Sequence, residues 1–560
     1  MRGGKTEEGA LFSAAPSRTL LISTRNLSVR SSSIHHYTCA LYIINKTESE
    51  VRIAENNQPI MGDRKPLIDL KLKDPDLFRN NAYVNGEWIE AKSGKTFEII
   101  DPGNSQPFAT CPDMSAEDVD AAVQAAGAAF ATYRTFTPLA RSLLLSKWDA
   151  LIRENKEDLA RILVHETGKP LLEARGEIDY ATGFTRWFAG EAERIQGAAY
   201  AAALPGRRIF TLKQPIGVVA ALVPWNFPVA MILRKASTAF AAGCTMVAKP
   251  SPETPLTALT LAYLAEKAGF PKGVFNVLPT TLQNTPALSE ALCKHPVVKK
   301  VSFTGSTRVG KILSAHCADG LKKLTLELGG NCPVLVFDDA NLEQACDALI
   351  PLKFRHAGQA CITANRVYVQ RGVYDKFASL LTEKTRALRV GHGLDEGITM
   401  GALTVPQGVD KVASQVEDAK GNGATVMTGG NRISINNGYF FEPTIIGNAT
   451  SCMKIASEET FGPLLALFPF DTEEEAVKAA NNTSMGLASY CFTKNVDRIW
   501  RLFENLEAGM IGLNTGNSSS AESPFGGIKD SGYGKESGKD VAINEYLITK
   551  TGTLSLEGHY

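Results

Sequence analysis

Between Gly206 and Gly330 the chain alternates short apolar runs with amphipathic stretches of helical period, and this alternation restricts the fold more than any other feature. GVVAALVPWN, CTMVAKP, GVFNVLP and KKVSFTGS read as strands. Val229 to Ala242, Pro255 to Ala268 and Thr307 to Ala318 read as helices between them, and KLTLELGG reads as a further extended segment. A β-α-β-α-β order predicts an α/β fold with a parallel, doubly wound sheet, whose ligands bind at the carboxyl ends of the strands. Three polar residues fall at those ends: Asn226, Lys249 and Ser306.

The flanking regions are also regular. NAYVNGEW predicts a hairpin turning at Asn85-Gly86. Helices are expected from Ser115 to about Gln196, opened by Ser115 with Glu117 and Asp118 in the first turn. A second α/β portion begins near Gly330, with VLVFDD, RVYVQ and a long helix from Tyr374 to Arg389. At 560 residues the chain exceeds the size of one hydrophobic core, so two or three lobes are expected.

Charge and composition remove several function classes. Lys+Arg and Asp+Glu both number 59, so neither nucleic acid nor an anionic membrane is indicated as the main partner. No apolar run approaches the roughly 18 residues of a membrane span. The ten cysteines include no CxxC and the eight histidines no HExxH, so no metal is expected and the thiols read as reduced. Residues 1–60 form a separate extension. Gly9 to Thr47 lacks Asp and Glu and carries Arg18, Arg25 and Arg30 among serines, the composition of a mitochondrial presequence. The alternative is a disordered tail or a chain starting at Met61, with a cytoplasmic protein.

Four local signals suggest chemistry. GSTRVGK, from Gly305 to Lys311, follows a strand and opens a helix, so its N–H groups can hold a phosphate. It nearly spells a nucleotidase loop, but Ile312 stands where a Mg²⁺-binding hydroxyl belongs. Cys361 ends FRHAGQAC, with Gly358 and Ala360 leaving the thiol uncrowded; a thiolate attacks carbonyls well and leaves well from a thioester. A lone cysteine is more often a small hydrophobe. Glu327, in the apolar run LELGG, could be a general base with its pKa raised by burial, or a salt-bridged structural residue. Asn226, between Pro224 and Pro228, could donate to a developing oxyanion or simply form a turn.

Taken together, PWNFP, AAGCTMVAKPS, FTGSTRVG, LELGGNCP, GQAC, EETFGP and SPFGGIKDSG, in that order from about Asn81 to Leu554, resemble the aldehyde dehydrogenase superfamily. The resemblance implies that Cys361 attacks the aldehyde, that Asn226 and the Cys361 N–H hold the oxyanion, and that Glu327 activates the hydrolytic water. It further implies a cofactor site of Val223, Trp225, Lys249, Ser251, Pro252, Gly305, Ser306, Gly310, Gly329, Glu459 and Phe461. Lys249 and Glu459 would bind the two riboses, Ser306 the pyrophosphate, and Phe461 would border the nicotinamide. Pro252 stands where NAD-specific relatives place a glutamate, so NADP, or both NADP and NAD, is expected; Glu253 beside it leaves the preference open.

Within the family the chain resembles the succinate-semialdehyde dehydrogenases, which implies that Arg234, Arg355 and Ser519 bind a distal carboxylate. Oxidation of succinate semialdehyde, in 4-aminobutyrate breakdown, is the expected activity. A glutarate-semialdehyde or other aldehyde dehydrogenase, and more remotely a non-catalytic binding protein, are the alternatives. Some members carry a second cysteine two residues after the nucleophile; here Thr363 stands there, so no disulfide switch is expected. The implied architecture is a Rossmann-like NAD(P)-binding domain (61–196 and 216–329) and an α/β catalytic domain (330–530). A bridging β element (197–215 and 531–560) would mediate assembly into a homodimer or homotetramer.

Overall fold

The computed structural model describes residues 65–557, and the presequence reading of residues 1–60 lies outside the described residues. The alternating segment folds as a parallel sheet. Its central strands, in spatial order, are Phe275–Val277, Thr245–Lys249, Val218–Leu222, Val298–Thr304 and Lys323–Glu327. The hairpin strands Ala82–Val84 and Glu87–Ile89 extend one edge antiparallel, and Gly532–Tyr533 extends the other. Asn85 and Gly86 take φ of 55° and 75°, the paired left-handed conformation that a two-residue hairpin turn requires.

Local chemistry sets the helix boundaries. Pro228 and Pro255 sit in the first turns of helices Pro228–Ala242 and Pro255–Ala268, where a missing N–H costs nothing. Gly243 (φ 91°) and Gly269 (φ 95°) end them in the left-handed conformation. A crossover helix, Thr285–Lys294, was not anticipated. It buries only Leu288, Ser289, Leu292 and Cys293, too short an apolar stripe to stand out in sequence.

The chain leaves this sheet at Glu327, crosses Leu328–Asn331, and enters a second sheet at Cys332–Val336. That sheet runs Thr425–Thr428, Thr444–Gly447, Leu464–Phe470, Ala364–Gln370, Cys332–Val336, Ala488–Phe492, Met510–Leu513, parallel except for its first pair. Helix Tyr374–Arg386 stops three residues short of the expected Arg389. A separate antiparallel sheet joins Ala199–Ala201, Arg207–Pro215 and Leu547–Ser555.

The expected extent of the bridging element needs one correction. Residues 531–546 are not in that small sheet: Gly532–Tyr533 pairs with Leu326–Glu327, and helix Val541–Asn544 packs on Pro228–Ala242. The dividing line falls at Leu547.

Candidate active site

Parallel register brings the strand ends together, pairing Leu222 with Lys249 and with Phe303, and Thr304 with Glu327. Beside them opens a cavity of about 760 Å³. Its wall includes Trp225, Asn226, Arg234, Gly305, Ser306, Gly329, Arg355, Cys361, Glu459, Phe461 and Ser519, so most residues singled out in the sequence converge there. Val223, Lys249, Ser251, Pro252, Gly310 and Glu327 do not line it.

An abrupt end to helix Leu342–Phe354 delivers Cys361. Pro351 lies in its last turn, and His356 (φ 51°), Ala357 (φ 50°) and Gly358 (φ 76°) then run left-handed in succession. Two non-glycine residues in that region hold backbone strain of about 1–3 kcal/mol each. A Cβ on Gly358 would overlap the Gly462 carbonyl, so glycine is required there. Glu173 accepts the His356 N–H at 2.8 Å and fixes the turn. Cys361 emerges half-buried and, among the described residues, its N–H donates to no protein acceptor. Burial pushes its thiol well above the usual range, with Cys332 and Glu459 adding to the shift and Arg234 opposing it. The thiol is therefore neutral until a base or substrate changes its surroundings.

Asn226 is positioned from two sides. Its Nδ2 donates to the Gln359 carbonyl at 3.0 Å, which leaves a second N–H on the amide. Its own carbonyl accepts from Lys169 Nζ at 2.9 Å. Lys169 is paired with Glu177, whose Oε1 accepts the N–H groups of Val229 and Ala230 at the start of helix Pro228–Ala242. Sequence reasoning missed Lys169, Glu177 and Gln359, because they meet Asn226 only through tertiary packing.

Glu327 stands apart. Its carboxylate lies behind the cavity wall against Gly526, and neither oxygen has a hydrogen-bond partner among the described residues. Burial, reinforced by Glu536, raises its pKa well above the carboxylate range. Glu536 is paired with Lys235 and accepts from Ser302 at 2.9 Å; Lys235 also reaches Thr304 Oγ1 at 2.7 Å. These buried groups act on Glu327 through their charge: Glu536 raises its pKa, and Lys235 and Arg234 oppose the rise.

The cofactor candidates divide into two groups. Ser306 caps helix Thr307–Ala318 and is exposed, so a helix N-terminus faces solvent ready for a pyrophosphate. Glu459 accepts the Gly330 N–H at 2.9 Å and lies within 3.0 Å of the space a Gly329 side chain would need. Phe461 meets Trp225 edge-on at 5.6 Å. Lys249 is buried, with Nζ 3.3 Å from Thr285 Oγ1, and Ser251 donates to Glu253. Gly310 has a structural part: a Cβ there would strike the Leu328 side chain at 2.6 Å, so the glycine lets the helix close onto the end of the strand. Val223 is likewise buried, its N–H bonded to the Lys249 carbonyl.

The three anion-binding candidates differ in setting. Arg234 is buried, stacked on Phe525 at 4.0 Å and donating to Tyr180 at 2.6 Å, with no hydrogen bond from Nε or Nη1 and with Nη1 4.0 Å from Glu536 Oε2. The Tyr180 hydroxyl shares a 2.5 Å hydrogen bond with Ser519, which makes Tyr180 a fourth member that sequence reasoning did not include. Arg355 is exposed at the mouth, over Phe227 at 5.3 Å, without an ion pair among the described residues.

Comparison with known proteins places the chain in a family. Residues 88–552 match the Aldehyde dehydrogenase family. The chain is 48% identical over 487 residues to succinate-semialdehyde dehydrogenase NADP(+) 1 of Schizosaccharomyces pombe, covering 87% of this chain and 97% of that one. It is 47% identical over 481 residues to a glutarate-semialdehyde dehydrogenase of Pseudomonas putida, covering 86% and 99%. The solved succinate-semialdehyde dehydrogenase of Burkholderia pseudomallei superposes with a TM-score of 0.85 at 46% identity, covering 87% of this chain and all of that one (100%).

Proposed function

The chain belongs to the aldehyde dehydrogenase family, and from that premise we propose that it oxidises succinate semialdehyde to succinate, with NADP or NAD as oxidant, through a thioester on Cys361. The observation that carries the reading is one cavity holding a thiol, a fixed side-chain amide, two guanidiniums and a hydroxyl. The Cys361 thiol gives its proton to water in the open cavity as its sulfur attacks the aldehyde carbon, and the oxyanion is held by the second Asn226 N–H and the Cys361 N–H. A bound nicotinamide would accept the hydride. Its loss leaves a thioester on Cys361. Water then adds to that carbonyl as Glu327 takes its proton, and the thiolate departs from the acid.

Arg234, Arg355 and Ser519 suit the far carboxylate of a short semialdehyde, and Tyr180 orients two of them. Glutarate semialdehyde, one methylene longer, is the second reading, favoured by the Pseudomonas relative. Succinate semialdehyde should be turned over efficiently with either cofactor. Turnover of benzaldehyde or betaine aldehyde without it would sink the substrate reading. Replacing Arg355 with Gln should raise KM for succinate semialdehyde about ten- to a hundredfold, the worth of a charge-assisted hydrogen bond. An uncharged aldehyde of similar size should be unaffected; equal losses on both substrates would contradict the assignment.

Burial lowers Lys249 to about 8, opposed by Glu253. The protonated amine attracts a 2′-phosphate, and it is present below that pH and lost above it. KM for NADP should therefore rise between pH 8 and 9.5 while KM for NAD changes little. Parallel pH profiles for the two cofactors would refute this role.

The apolar side chains Phe210, Leu212, Ile548 and Leu554 are exposed on one face of the small sheet, by its register. They support self-association into a dimer or tetramer. No helix among the described residues is long and apolar enough to cross a membrane. The acid-free, arginine-bearing segment 9–47 supports a mitochondrial location, with a cytoplasmic one as the alternative.

A further inference from the structure

A second, smaller cavity of about 230 Å³ opens remote in sequence from the catalytic residues, where helix Pro138–Glu154 meets strand Arg207–Pro215. Arg134, Arg141 and Lys213 line it together with Gln214 and the apolar Phe136 and Ile195; neither Asp nor Glu does. Arg141 is the informative residue. Its side chain is only 7% exposed, yet among the described residues the guanidinium has no ion pair or hydrogen bond, and Nε is buried without a partner. Its Nη1 occupies space left by Gly243, whose φ of 91° ends helix Pro228–Ala242.

A guanidinium cannot shed its charge at any ordinary pH. Burying its Nε–H with nothing to accept it is costly, and folded chains pair such groups in the great majority of cases. The neighbours do not relieve the cost. Tyr133 spends its hydroxyl on the Phe240 carbonyl at 3.1 Å, and Cys244 is a thiol. Two further cations stand at the same cavity. Lys213 bonds Asn544 Oδ1 at 2.7 Å and keeps two N–H groups free of that bond. Arg134 is exposed and without an ion pair among the described residues. No carboxylate among the residues lining the cavity neutralises these three groups.

We propose that this cavity is a binding site for a small multivalent oxyanion, held by the Arg141 guanidinium from within and by Lys213 and Arg134 at the rim. A planar fork and an ammonium together fit a group offering several oxygens, such as inorganic phosphate or the two ends of a short dicarboxylate. The volume of about 230 Å³ accommodates either. An occupied site would tie strand Arg207–Pro215, part of the sheet proposed for self-association, to helix Pro138–Glu154.

The test titrates inorganic phosphate, and separately succinate, into the assembled full-length enzyme by calorimetry, with KCl of matched ionic strength as control. Saturable binding of at least one is expected, weakened at least tenfold in the double variant Arg134→Gln/Lys213→Gln, with kcat and KM for the aldehyde unchanged. Binding of phosphate alone identifies a phosphate-type ligand, and of succinate alone a dicarboxylate. Succinate bound only in the catalytic cavity would keep its affinity in the double variant, and that result, or the absence of saturable binding, overturns the proposal. Should the double variant not fold, wild-type crystals soaked in selenate decide. An anomalous peak between Arg141 and Lys213 supports the site; an empty cavity, or one filled by a neighbouring subunit's side chain, refutes it.

Discussion

Replacing Cys361 with Ala is expected to lower kcat for succinate semialdehyde by about 10⁴-fold or more while leaving cofactor affinity within twofold. The size follows from the role, since removing a nucleophile that forms a covalent intermediate removes the whole route. The separation of the two effects follows from the structure. Cys361 sits on a backbone turn made by His356, Ala357 and Gly358, and its sulfur faces open cavity. Truncation therefore creates no closed void, and the turn survives because Glu173 and the Gly462 contact hold it. Cofactor affinity should persist because Ser306, Lys249 and Glu459 reside on other segments. Stopped-flow detection of reduced cofactor, with tryptophan quenching for its binding, separates the two. Retention of more than a hundredth of the activity would reassign the nucleophile, and each remaining thiol is a poorer candidate. Eight of the other nine are described; Cys452 is exposed and the rest are buried.

The parallel sheet was legible because its strands are short, apolar and punctuated by Pro and Gly, so period and boundary agree. The polar residues at its ends were legible for the same reason: Asn226, Lys249 and Ser306 mark where each strand stops. Their partners were not. Lys169 and Glu177 belong to a loop and a helix before the sheet, and only packing of helix Leu171–Ala192 on Pro228–Ala242 brings them to Asn226. Tyr180 reads in sequence as one more helix aromatic. Gly310 has a second part that its motif does not announce: it leaves room for the Leu328 side chain. A further cluster carries no sequence signal at all. Asp101 accepts from His165 at 2.7 Å and faces His392 at 3.0 Å, joining three distant segments. Leu394 N–H donates to His392 Nδ1, so the proton of that ring sits on Nε2, facing the carboxylate.

Replacing Glu327 with Gln is expected to separate the two halves of the reaction. Formation of the thioester needs the sulfur, the oxyanion donors and the cofactor, but not a base for water. The variant should therefore release close to one equivalent of reduced cofactor per active site in a rapid burst, and then stall. Steady-state kcat should fall about 10²–10⁴-fold, the usual worth of a general base. The structure adds a condition on the wild type. Glu327 lies behind the cavity wall, and burial raises its pKa, which shifts it toward the protonated acid that cannot take a proton from water. To act, it must lose that proton, as it does by turning toward the cavity, where the charged form is better solvated. That change costs less as pH rises, because the raised pKa favours the neutral acid below it. The slow phase after the burst should accelerate with pH in the wild type and lose that dependence in Glu327→Gln. Lys235→Met should slow the same phase while the burst keeps its amplitude, because it removes a positive charge that opposes the rise in the Glu327 pKa. A variant that loses the burst along with turnover would instead place Glu327 in the first half-reaction, as the base that frees the Cys361 thiol.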